Sequence, residues 1–139
     1  MIRAEKALEN SEEYWSRTRA EKAVDYIAAI SSKIEEYSEN GTNRIVFHIS
    51  EYTSFEGFKD YFNLLKNYPY ERWAFCAMVK AELELNGYKV WYVDEVLGSE
   101  CYPRREFVGL LVSWDRSKRF PKIGYKNLQK YLTIEKFLL

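Results

Sequence analysis

Long apolar runs are missing from this sequence. No stretch approaches the roughly 20 residues that span a bilayer. The opening "MIRAEKALENSEEYW" alternates charge where a signal peptide would carry an apolar core. The expectation is a cytoplasmic protein with no membrane segment. Glycine is also scarce: six are scattered over 139 residues, with neither a P-loop nor a "GxGxxG". A glycine-rich phosphate cradle is therefore excluded. One histidine, His48, rules out any mechanism that needs a pair of them within one chain, and "GxSxG" is absent. Two distant cysteines, Cys76 and Cys101, suit a reducing compartment and do not combine with one histidine into a recognisable zinc set. Net charge is zero, with 21 Lys and Arg against 21 Asp and Glu. A protein that coats extended double-stranded nucleic acid is usually basic throughout, so that class is set aside. Neither a cofactor nor a metal is expected.

Aromatic residues are abundant by contrast. Twelve Tyr, eight Phe and four Trp make up 17% of the chain. Tyr keeps a polar tip and suits positions between core and surface, so oligomer interfaces and stacking sites are expected. Charge is unevenly placed. Residues 1–100 carry 12 Lys and Arg against 18 Asp and Glu, while residues 101–139 carry 9 against 3. Such a dipolar chain favours a local anion site and head-to-tail or two-fold self-association.

The length fits one domain, residues 1–139, large enough to bury a core. Two helices are expected first, "IRAEKALENSEEYW" and then Thr18 to Glu39, where Ala20, Ala23, Val24, Ile27, Ile30 and Ile34 recur at helical spacing. Asn40-Gly41 supplies a stop. Alternation in "NRIVFHIS" predicts a strand. A helix follows with Phe55, Phe58, Phe62 and Leu65 on one face and Thr53 or Ser54 as its cap, ending at Pro69. "YERWAFCAMVKAELELNG" reads as a central buried helix and "YKVWYVDE" as a strand. "VLGSECYPRRE" reads as a long loop, "FVGLLVSWD" as the central strand, and "YKNLQKYLTIEKFLL" as a last helix, with an edge strand as its alternative. The result is an α+β domain, a small three-stranded sheet with helices packed on it, in the order α-α-β-α-α-β-β-α.

One cluster carries the candidate ligand site. Arg116, Lys118, Arg119 and Lys122 follow the central strand, interleaved with Trp114 and Tyr125, and Arg104 and Arg105 lie a little upstream. Arginine forks grip phosphate and aromatic faces stack on bases, so these residues suit a nucleotide or a short single strand. A basic, solvated turn reads equally well. No catalytic residue is assigned. His48, alone on a strand, reads as structural. Asp94, Glu95, Glu106 and Asp115 near strand ends keep open a small metal-dependent phosphodiesterase or nuclease. A structural oligomeric protein is the third reading.

Three segments, "IRAEKALENSEE", "KIEEYSENGTNRIVF" and "LELNGYKVWYV" followed by "LLVSW", are similar to a diffuse group of short bacteriophage-encoded accessory proteins. The resemblance implies a non-enzymatic binding protein in the host cell cytoplasm, an anti-defence factor that sequesters a nucleotide signal or occupies a host protein. It transfers no functional residue.

Overall fold

The computed structural model describes residues 1–99 and 101–115. The expected C-terminal helix lies outside them. The described elements run α1 (Ala4–Ser38), β1 (Arg44–His48), α2 (Lys59–Leu65), α3 (Pro69–Leu85), β2 (Lys89–Gly98) and β3 (Pro103–Ser113). Three helices and one antiparallel three-stranded sheet make the expected α+β fold.

The two opening helices are one. No Gly or Pro interrupts "EEYWSRTRAEK", so nothing breaks the backbone ladder across the expected boundary. What changes there is burial. Residues 1–14 are exposed, whereas Ala23, Tyr26, Ile30 and Ile34 enter the core. The change of apolar stripe marks where a continuous helix, about 50 Å long, reaches the body of the protein. Gly41, at φ +84°, ends it as expected, with Thr42 N–H donating to Tyr37 C=O at 3.1 Å.

The next helix starts later than its pattern suggests. Gly57 sits at φ +86° and interrupts the run, so Thr53 caps a turn instead: its Oγ1 accepts from Phe55 N–H at 3.2 Å. α2 stops at Leu65, ahead of the expected end at Pro69, and Pro69 instead opens α3, where its missing N–H costs nothing. One side of α3 is buried through Phe75, Cys76, Val79 and Leu83; Tyr70, Trp73, Met78 and Leu85 remain exposed.

The strand order is β1-β3-β2, with β3 in the centre as its two-faced apolar run requires. Both pairings are antiparallel, so β1 and β2 run parallel to each other with β3 between them, and the chain crosses from β1 to β2 through α2 and α3. Much of the segment expected to be a long loop is hairpin. β2 runs to Gly98 and β3 begins at Pro103, with Tyr102 N–H donating to Ser99 C=O at 3.2 Å. Charged residues on the hairpin hid the strand pattern, because this end of the sheet has no apolar alternation to reveal it.

Ile45, Phe47 and Ile49 join Val90, Leu110 and Val112 beneath all three helices. On the opposite face Val46, Val93, Val108 and Leu111 form a second buried cluster with half-buried Trp91. A bulge joins the two registers: Val93 pairs with Gly109 and Asp94 with Phe107, leaving Val108 as the extra residue. Tyr26 is fully buried at the centre of the helix-side core, within 5.7 Å of the rings of Phe55, Phe58, Phe62 and Phe75. Its hydroxyl donates to the His48 carbonyl at 2.7 Å. Tyr26→Phe keeps the packing and removes that donor, so chemical denaturation should show a loss of about 1–3 kcal/mol. An unchanged unfolding midpoint would mean that the bond contributes nothing. No helix among the described residues is long and apolar enough to cross a membrane.

Candidate functional site

β1 stops at His48 while the β2–β3 hairpin continues for several residues. The chain turns away through Ser50–Thr53, with Thr53 N–H donating to Ser50 C=O at 3.1 Å. A notch opens between that turn, the helices and the hairpin. It holds a cavity of about 440 Å³ whose walls include His48, Ser50, Glu51, Tyr52, Lys66 and Arg72, together with Glu95, Glu106, Phe107 and Val108 of the hairpin. Cavities of this size lie within the range of ligand and anchor-residue pockets.

The electrostatics of the notch are mixed. Lys66 is ion-paired with Glu51. Arg72 lies over the Phe107 ring, 5.4 Å from its centre. Glu95 and Glu106 are direct cross-strand partners, and like charges in that position repel. Three carboxylates therefore face two cations. Among the described residues no three or more His, Cys, Asp or Glu side chains are grouped to hold a metal ion.

Beside the notch, on the helix side of the hairpin, Trp73, Tyr92 and Phe107 form a continuous ring cluster. Centroids lie 5.3 Å apart for Trp73 and Tyr92, 5.6 Å for Trp73 and Phe107, and 6.1 Å for Tyr92 and Phe107. Trp73 is 49% exposed and Tyr92 39%. Lys80 sits 5.9 Å over Tyr92, so a cation flanks each end of the cluster. Burial holds the Tyr92 phenol above its ordinary value near 10.

The structure distributes the sequence candidates unevenly. Arg104 is exposed on β3, and Arg105 lies next to it in the same strand. Trp114 is half-buried against the core, its ring edge-on to Tyr88 at 6.2 Å, and its backbone N–H donates to Asn43 C=O at 2.9 Å. Arg116, Lys118, Arg119, Lys122 and Tyr125 lie outside the described residues. The strand-end carboxylates divide: Glu95 and Glu106 meet at the notch, while Asp115 is at the far end of β3, where Lys89 donates to its backbone carbonyl. His48, read as structural, is 2% exposed and also lines the cavity. Sequence reasoning missed Arg72, Trp73, Tyr92 and Phe107 as a group. Only their residue types, aromatic and Arg, offered a signal.

Comparison of the chain with protein-family models, curated proteins and solved structures finds no match.

Proposed function

We propose that this is a non-enzymatic binding protein that occupies a partner protein, using the face where Trp73, Tyr92 and Phe107 adjoin the notch. The observation that carries the reading is the half-exposed Trp73, held in place by two neighbouring rings beside a cavity and next to Arg72. Trp, Tyr and Arg dominate the residues that anchor protein interfaces, and they work best beside a pocket that excludes water. A ring fixed by its neighbours also loses little conformational entropy on binding. The resemblance to short phage-encoded accessory proteins supports the same class, a factor acting in the host cytoplasm on a host protein. A nucleotide signal fits this notch less well, because Glu51, Glu95 and Glu106 outnumber Lys66 and Arg72 on its walls and would repel phosphate. A nucleotide-binding role falls to the basic cluster Arg116–Lys122, beyond the described residues.

Trp73→Ala is the test. The side chain is half solvent-exposed, so the fold should survive. Loss of an anchor costs about 2 kcal/mol or more, roughly a thirtyfold loss of affinity. Quantitative affinity purification from cells, followed by binding measurements with the purified partner, should show one protein recovered by the wild type and lost with the variant. Equal recovery by both would refute the reading.

A further inference from the structure

We propose that two copies of the chain pair edge to edge along β3, across a two-fold axis at position 105, joining two three-stranded sheets into one of six strands. Among the described residues β1 covers β3 only over Gly109–Ser113, and one further bond runs from Ile49 N–H to Val108 C=O at 2.8 Å. Pro103–Phe107 bonds to β2 on one side and to no described strand on the other. Among the described residues this edge is unpaired, and an unpaired strand edge is a template for another strand.

The sequence of that edge, "PRREF", identifies the occupant as a second copy. Antiparallel pairing about position 105 places Arg104 of each copy opposite Glu106 of the other. Both residues are exposed, and being two apart they share a face of the sheet. The same contact answers a fault within the single chain. Glu106 already stands opposite Glu95, and an arginine arriving on its other side offsets that repulsion. The two copies of Arg105 meet on the axis, a like-charged pair that subtracts from the gain. The contact uses the same patch on both copies and closes on itself, so it makes a dimer and not a fibre. Five residues of pairing is a short interface, well below the area of permanent complexes, so dimerisation is weak and concentration-dependent. It goes beyond the partner-binding reading and shares Glu106 and Phe107 with that notch; Trp73→Ala, which lies off this edge, tells the two apart, because it should lose the partner and keep the dimer.

A charge swap tests the register. Arg104→Glu sets carboxylate against carboxylate and Glu106→Arg sets guanidinium against guanidinium. Each should raise the dimer dissociation constant roughly tenfold or more in sedimentation over a concentration series. The double variant, Arg104→Glu with Glu106→Arg, restores both pairs and should return to within about threefold of wild type. Matching circular dichroism melts establish that all four proteins are folded. Failure of the double variant to recover would overturn the register. A wild type that stays monomeric throughout would overturn the pairing itself.

Discussion

Gly109→Ala should lower the melting temperature by roughly 10 °C or more, corresponding to about 3 kcal/mol in a chain of this size. Gly109 is the residue of β3 that faces His48 on one side and Val93 on the other, at the bulge. A methyl group there would stand 2.0 Å from the Phe47 carbonyl oxygen and 2.9 Å from both Phe47 C and His48 Cα. All three are main-chain atoms and cannot rotate aside. β1 would have to withdraw from the centre of the sheet, and the ladder bonds around His48 would lengthen. The bond from Tyr26 to the His48 carbonyl would be disturbed with them. Gly41→Ala is the control. Its added methyl meets no atom within 4 Å, so only the φ of +84° opposes it, at about 1 kcal/mol. Calorimetry of the two variants separates collision from conformational preference. A Gly109→Ala protein that melts with the wild type would show that β1 and β3 are not packed this closely.

The same position shows why the sequence disclosed the sheet better than the notch. Ile45, Phe47 and Ile49 alternate because their neighbours face the other side, and that period of two is visible without knowing what lies opposite. Gly41 and Gly87 follow asparagine after helical runs, and both take positive φ at helix ends. Local rules suffice for such features. Other features depended on context that no window of sequence contains. The continuity of α1 was hidden because its first half projects into solvent and carries no core stripe. The hairpin was hidden because Asp94, Glu95, Arg104, Arg105 and Glu106 replace apolar alternation with charge, although backbone pairing persists.

The notch is a product of topology. Arg72 belongs to α3 and Phe107 to β3, and they meet only because β3 is central and antiparallel to both neighbours. Glu95 and Glu106 are eleven residues apart, a spacing that means nothing until the hairpin register sets them opposite each other. Gly109 likewise reads as an ordinary glycine until β1 is laid beside it.

Alkaline solution should destabilise the fold from about pH 9 upward. Two buried acids are responsible. Cys76 is fully buried, and burial pushes its thiol from an ordinary value of 9 up to about 12, against a smaller opposing pull from Arg72. Tyr61 is 6% exposed. Its phenol rises from 10 to about 12, first through burial and then through the charge of Glu71, with Arg19 opposing. Arg19 and Glu71 form a partly buried ion pair at 2.8 Å beside it. In the unfolded chain the thiol ionises near 9 and the phenol near 10, whereas the folded protein holds both protons until about 12. Between those limits the unfolded state binds fewer protons than the native state, so stability falls as pH rises. The contribution is complete below pH 9, and by pH 11 the loss is roughly 4 kcal/mol. Urea unfolding at a series of pH values from 8 to 11 measures it directly. Cys76→Ala removes the thiol; it should lose about 1 kcal/mol at pH 8 through lost packing and then decline less steeply, because only the phenol still titrates. A wild-type profile that stays level from pH 8 to 11 would mean that neither group is held protonated by the fold. A variant whose slope matches the wild type would assign the effect to Tyr61 alone.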